Sequence, residues 1–355
     1  MIEEMAGETI NNSLNYRYDI CTCQKCRSDI VSHILAKISA APVTLDNSNE
    51  AEIRAFYQRE INRTMFSAVE YVSEHPGHID TEDRKKTFSA LLHKISNERG
   101  LDLRNYHTEI LKRRIALRLQ HNNIPSYSKY IEFLTANPRE FDRLFETLCI
   151  NVSEFFRDTP VWVTVQYLFD TLIRAKIQQK QDSIKIWSAG CANGEEPYSL
   201  GITLKESLRG ITQIARVEIL ATDVDKACMN FARKGLYPRE HIKNVSPKLL
   251  ARYFDLDGDK FQVKEEIKNI VTFDYLDLTS QEFPKGIDVL ICRNVFIYFN
   301  RQLQKSILDK FCGCLLPGGY LIMGKSESLG IEHAQAFETV DSNARIFRKT
   351  GKNCL

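Results

Sequence analysis

Two adjacent carboxylates, Glu195 and Glu196, stand directly after Gly190 and Gly194 in IKIWSAGCANGEEPYSLGITL, residues 184–204. Ahead of them, Ile184, Ile186 and Trp187 alternate with Lys185, which suits a half-buried strand. Behind them, Tyr198, Leu200, Ile202, Leu204 and Leu208 continue a helical segment. Pro197 falls in its first turn, where a missing N–H leaves no intrahelical bond unmade. Strand, glycine loop and helix make the nucleotide-cradling turn of a doubly wound α/β sheet. Glycines let a ligand approach the backbone, and the helix N-terminus offers it free N–H groups. Two glycines alone suit a tight turn without a ligand equally well. The loop lacks the Lys-Ser/Thr pair of a phosphate loop, which argues against ATP and GTP. Its carboxylates would repel a pyrophosphate but suit a ligand with an ammonium or sulfonium group. S-adenosylmethionine is such a ligand.

Other residues carry chemistry in a compatible order. Residues 217–221 (VEILA) read as a strand that ends in Asp223, an acid placed to accept hydrogen bonds from a ribose. Its distance from Gly190 exceeds the roughly 20 residues of a dinucleotide fingerprint. Asp225 reads as the N-cap of a helix over 226–234. The apolar run 287–292 (IDVLIC) predicts a central buried strand. That strand delivers Arg293, Asn294 and Tyr298 to the carboxyl edge, where ligands bind in open α/β sheets. Near the N-terminus, Cys21, Cys23 and Cys26 have tight spacing. Structural zinc wants four ligands, and His33, His75, His78 or another subunit would supply the fourth. The same cysteines equally read as thiols packing a helix start.

The elements that position these residues follow from periodicity. Residues 1–80 predict a small helical module, with helices over 18–39 and 51–73 joined by a polar connection. Residues 80–87 (DTEDRKKT) read as a linker. Residues 88–165 predict an all-α domain, broken at Gly100, with helices over 108–120, 126–134 and 138–148. In the first of these, Leu111, Ile115 and Leu119 form an apolar line flanked by Lys112, Arg113, Arg114 and Arg118. Such a face receives an acidic partner or is simply solvated. Residues 166–350 predict the α/β sheet. It carries a small antiparallel insertion over about 238–270, signalled by Asp257-Gly258 between apolar stretches. Residues 302–315 predict a helix ended by Pro317-Gly318-Gly319. Strands are expected over 270–273, 320–323 and 345–348, the last antiparallel. Six or seven strands favour a methyltransferase-type sheet over a dehydrogenase.

Bulk properties narrow the class. The chain has 355 residues, 43% of them hydrophobic, and a net charge of +2. Its charge gives no overall field for nucleic acid. No apolar run approaches the ~20 residues that span a bilayer. The acidic MIEEMAGETI start lacks a signal-peptide pattern, so a cytoplasmic location is expected. There the ten cysteines are expected as thiols or ligands rather than disulfides, with Cys149, Cys292 and Cys312 as small buried residues.

NVSEFFRD, IWSAGCANGEEPYSLGITL, ATDVDKACMNFARKGLY, CRNVFIYFNRQLQ and LPGGYLIMGKSESL stand in order between residues 90 and 350. By these motifs the chain resembles the CheR-type chemotaxis-receptor methyltransferase family. The resemblance implies an S-adenosylmethionine-dependent O-methyltransferase acting on glutamate side chains of the cytoplasmic helices of chemoreceptors. It implies a class I methyltransferase sheet with an inserted β-subdomain behind an all-α domain. It places Asn151, Ser153 and Arg157 at the cofactor from the junction, with Ser153 where threonine is common. Gly190 and Gly194 allow close approach, and Glu195 faces the methionine end. Asp223 holds the ribose, and Asp277 and Leu278 border the adenine, Asp277 standing where asparagine is usual. Arg293, Asn294 and Tyr298 lie where donor and acceptor meet, with Arg157, Arg293 and Tyr298 as the catalytic set. Arg113, Arg114 and Arg118 would face acidic receptor helices.

CTCQKCRSDIVSHIL and REINRTMFSAVEYVSEHPGH, within residues 12–80, resemble the late-competence-protein (ComFB-like) family. The chain has Ser39-Ala40-Ala41-Pro42 where that family has Leu-Pro-Pro. The resemblance implies a fused regulatory module, a cyclic dinucleotide such as c-di-GMP as its ligand, and dimerisation through residues 1–80. The rival readings are a methyltransferase for another substrate and a signalling adaptor that keeps cofactor binding.

Overall fold

Apolar residues three and four apart build the first part of the chain as helices. The computed structural model describes residues 2–14, 24–39, 50–74, 81–99, 102–124, 126–149, 153–279 and 282–351. It has two units, Met1–Leu103 with Thr108–Leu148, and Arg104–His107 with Cys149–Leu355.

In the first unit, α1 (Ile2–Leu14), α2 (Gln24–Ser39) and α3 (Glu50–Glu74) share one core. Met5, Ala6 and Ile10 meet Cys26, Ile30, Ile34 and Ile38, and Ile61, Ala68, Val69 and Val72 close it. Helix α1 was not expected from its acidic sequence. Cys21 and Cys23 lie outside the described residues, and Cys26 is buried in the apolar core. Residues 81–87, expected as a linker, form the first turns of α4 (Thr81–Arg99). Glu, Lys and Arg are good helix formers, and a charged run without apolar spacing hides that propensity. Helices α5 (Thr108–His121), α6 (Tyr127–Ala136) and α7 (Pro138–Leu148) follow. Glu140 is 4% exposed on α7. Arg118 reaches it from α5 with Nε–Oε1 2.9 Å and Nη2–Oε2 2.6 Å, and Tyr130 Oη and Asn122 Nδ2 also donate to it.

The second unit opens with α8 (Thr159–Gln178), so the domain boundary expected at residue 165 falls inside a helix. Then come β1 (Ser183–Ala189), α9 (Glu195–Ser207), β2 (Arg216–Asp223), α10 (Lys226–Lys234), β3 (Leu236–Pro238), α11 (Pro247–Tyr253), β4 (Phe254–Asp257), β5 (Lys260–Val263), α12 (Glu265–Lys268), β6 (Val271–Tyr275), β7 (Ile287–Cys292), α13 (Arg301–Cys314), β8 (Leu315–Met323), β9 (Phe337–Asp341) and β10 (Ile346–Lys349). The large sheet runs β6-β2-β1-β7-β8-β10-β9. Its first five strands are parallel, and β10 is antiparallel to both neighbours. Strand β7 is buried at every residue, as expected for the middle of a sheet covered on both faces. Strands β3, β5 and β4 form the antiparallel insertion, with β4 and β5 turning at Asp257-Gly258.

Two expectations about the last strands change. Pro317-Gly318-Gly319 does not follow α13 as a stop signal but lies within β8, beside a register shift against β7. Proline and glycine are tolerated where a ladder is irregular. Strand β9 was not expected. Cys312 is disulfide-bonded, against the expected thiol, whereas Cys149 and Cys292 are free.

Candidate functional site

Because β1, β2, β6, β7 and β8 run parallel, their carboxyl ends share one edge. The turn after β1 is drawn against β2, as Gly190 N and Cys191 N both donate to Thr222 O at 2.8 and 3.0 Å. Gly190 has φ +78°, and a Cβ there would stand 2.5 Å from Val295 Cγ2. Gly194, φ +90°, opens α9, and a Cβ there would meet Ala232 Cβ at 2.6 Å. Only glycine fits either position without strain.

Asp223 ends β2 and ties two loops together. Its Oδ2 accepts from Ala192 N at 2.8 Å and its Oδ1 from Asp225 N at 2.9 Å. Burial raises its pKa, and these backbone donors oppose the shift. Each oxygen keeps a second lone pair, the valence two ribose hydroxyls require. Asp225 caps α10 by accepting from Ala227 N and Cys228 N, as its sequence position predicts.

The loop after β7 is held from β8. Glu327 accepts from Gly324 N at 2.7 Å, Phe296 N at 2.8 Å and Asn294 N at 3.2 Å. Asn294 adopts a left-handed φ of +61°, a conformation that the three bonds stabilise. Burial raises the pKa of Glu327 against those same donors. Arg293, its side chain 2% exposed, contacts Asp158 through Nη2–Oδ2 at 2.5 Å and Glu196 through Nη1–Oε2 at 3.8 Å. Its Nη1 also donates to Arg157 O at 3.3 Å. Lys325 reaches the other Asp158 oxygen at 3.1 Å.

Phe155 and Phe156 anchor the NVSEFFRD junction. The Phe155 ring meets Tyr237 and Phe254 edge-on, and Phe156 N donates to Ser199 Oγ at 3.0 Å. Ser153 and Arg157 are half-buried there. Asn151 lies outside the described residues. Glu195, 0% exposed, places Oε1 2.6 Å from His241 Nδ1. Glu196 turns to Ser188 Oγ at 2.9 Å.

Asp277 accepts from Thr279 N at 2.8 Å just past β6, and Leu278 is buried. Tyr298 is half-buried in a single 3-10 turn whose carbonyl accepts from His107 N at 2.8 Å. Tyr106, from the same short segment, packs edge-on against Phe299 at 5.1 Å. Burial raises its hydroxyl pKa, and nearby Asp277, Cys149 and Asp223 add to the shift.

The structure thus gathers Gly190, Gly194, Glu195, Asp223, Asp277, Leu278, Arg293, Asn294 and Tyr298 at one edge. Arg113, Arg114 and Arg118 belong to the other unit. Sequence reasoning passed over Tyr106, Asp158, His241, Lys325 and Glu327. Asp158, Lys325 and Glu327 sit inside quoted motifs, so a signal existed for them. Tyr106 and His241 had none.

The donor set suits S-adenosylmethionine. Glu195 Oε2 and Arg293 Nε are buried without a hydrogen-bond partner among the described residues, and each needs a charged or polar group to complete it. Asp223 supplies paired acceptors for a diol, and no lysine or threonine stands in the glycine loop for phosphate. Zinc gains no comparable support, since no group of three or more metal-ligating side chains occurs among the described residues.

Comparison with known proteins agrees with this geometry. Residues 151–346 match the CheR methyltransferase SAM binding domain, and residues 86–149 match the CheR methyltransferase all-alpha domain. The chemotaxis protein methyltransferase of Borreliella burgdorferi is 33% identical over 251 residues, 69% of this chain and 89% of that protein. Its namesake in Escherichia coli is 30% identical over 242 residues, covering 66% and 81%. That of Listeria innocua is 29% identical over 247 residues, covering 70% and 92%. The chain therefore belongs to the CheR methyltransferase family and is an S-adenosylmethionine-dependent methyltransferase.

Proposed function

We propose that the protein methylates glutamate side chains on the cytoplasmic helices of chemoreceptors. The observation that carries this reading is the shared carboxyl edge of the parallel strands: the acids Glu195 and Asp223 stand there at the start of α9 and the end of β2, and the cations Arg293 and Lys325 meet Asp158 beyond the ends of β7 and β8. The names of the chemotaxis protein methyltransferases support it.

Bound S-adenosylmethionine supplies an electrophilic methyl group on a sulfonium. Asp223 accepts from the ribose hydroxyls, Glu195 faces the ammonium, and Asp277 and Leu278 border the adenine. Asn151, Ser153 and Arg157 reach the cofactor from the junction, and Gly190 and Gly194 keep the wall close. Arg293, Asn294 and Tyr298 flank the acceptor oxygen. A glutamate carboxylate is already ionised near neutral pH, so the chain need supply no strong base. Its task is to align oxygen, methyl carbon and sulfur, a contribution of up to ~7–11 kcal/mol in the best cases. Arg157 orients the incoming carboxylate. Arg293 commits one arm to Asp158, and this sharing keeps it from over-stabilising the ground state.

Arg113 and Arg114, exposed and half-exposed on α5, offer a basic face to acidic receptor helices. Arg118 serves the Glu140 pair instead. Residues 1–80 act as a regulatory module, supported by their own three-helix core, with c-di-GMP as ligand and dimerisation as the associated change.

The test is incubation of the full chain with methyl-labelled S-adenosylmethionine and receptor cytoplasmic fragments. Base-labile label on glutamate is expected. Donor binding without label on any receptor would leave another substrate, and no donor binding would leave the adaptor reading.

A further inference from the structure

Glu195 is fully buried at the first position of α9 yet has only one oxygen satisfied. Its Oε1 lies 2.6 Å from His241 Nδ1, and its Oε2 has no partner among the described residues. Leaving a carboxylate oxygen bare in the interior is costly, so the arrangement is completed by a cationic ligand. The other partner is fixed from several sides. His241 stands in the turn Arg239–Ile242 after β3, beside the rings of Phe231 and Tyr237 at 6.3 and 6.1 Å. Its carbonyl accepts from Phe155 N at 3.3 Å, which joins it to the junction that carries Arg157. The imidazole is 29% exposed, so solvent protons reach it.

We propose that His241 is a positioning residue for the methyl donor: its Nδ1–H holds one oxygen of Glu195 so that the other meets the donor's ammonium. This rests on the assignment of Glu195 to the methionine end. The titratable groups facing the imidazole are Glu195, Glu240 and Tyr237. The hydrogen bond that His241 donates to Glu195 raises the pKa of the imidazole, against desolvation by burial. Nδ1 remains a donor in the protonated ring and in the matching neutral tautomer. The contact therefore orients the carboxylate whether or not the ring carries charge.

The experiment is calorimetric titration of the full chain and its variants with S-adenosylmethionine, S-adenosylhomocysteine and 5′-methylthioadenosine. The last shares the adenosine and sulfur but lacks the amino acid end. His241→Ala is expected to weaken the first two ligands about tenfold, the scale of one charge-assisted hydrogen bond, and to leave methylthioadenosine unchanged. His241→Asn, whose Nδ2 replaces the Nδ1 donor, is expected to restore affinity. Equal weakening of all three ligands would mark a purely structural histidine and overturn the proposal, as would no change in any. Glu195→Gln separates the two claims. If it weakens the amino acid ligands selectively and His241→Ala does not, only the role of His241 fails. If neither variant discriminates the ligands, the Glu195 assignment fails with it.

Discussion

Asp223 accepts two backbone N–H bonds from different loops and is expected to face the ribose. Asp223→Ala is therefore expected to abolish S-adenosylmethionine binding, measured by calorimetry. Unchanged affinity would remove the ribose assignment. Tyr298 ends the 3-10 turn that Glu327 holds at Phe296 N. Tyr298→Phe is expected to lower kcat more than donor affinity, and equal losses would make it a binding residue. These acids and Tyr298 were legible because strand ends could be counted. His241, and the pairing of Lys325 with Asp158, were not, because the elements that bring these residues together are distant in sequence.

Among the elements, α5 carries two kinds of arginine on one helix. Arg118 closes a bidentate pair with buried Glu140. Arg118→Met is expected to destabilise the protein by about 3 kcal/mol, because it strands a buried carboxylate; denaturant unfolding measures this. Arg113→Glu with Arg114→Glu is expected to leave stability unchanged and raise KM for receptor, and unchanged KM would count against the basic face. The same network sets an acid limit. Burial raises the pKa of Glu140, but hydrogen bonds from Arg118 and Tyr130 outweigh it and leave it lowered. Its contribution is complete above the unfolded value near ~4.3 and is lost as pH falls through the lower folded value. Stability curves of wild type and Arg118→Met are thus expected to converge on acidification in that range. From sequence the four basic residues looked alike, since the helix period shows which face is apolar but not which charge finds a partner across it.

At the scale of the molecule, α1–α3 close a core of their own, and the family matches begin at residue 86. Deletion of residues 1–80 is expected to leave donor affinity and basal methyl transfer unchanged and to remove any response to c-di-GMP. Lost donor binding would show that the module supports the catalytic fold directly. The rhythm of the five parallel strands was readable in alternation and apolar runs. The first turns of α4 and strand β9 were not, because a charged helical run and a short edge strand leave weak periodicity.

Local order determined much of this protein in the sequence itself: the strand–glycine–helix turn at 184–204, the acid ending β2, the buried run of β7 and the hairpin at Asp257-Gly258 all follow from spacing over a few residues. The tertiary structure decided which carboxylate meets which cation. Glu195 turns to His241, Glu196 and Asp158 turn to Arg293, and Arg118 turns inward to Glu140. Such pairings join residues from separate elements, and only packing fixes their distances, because desolvation and hydrogen-bond geometry act in space and not along the chain.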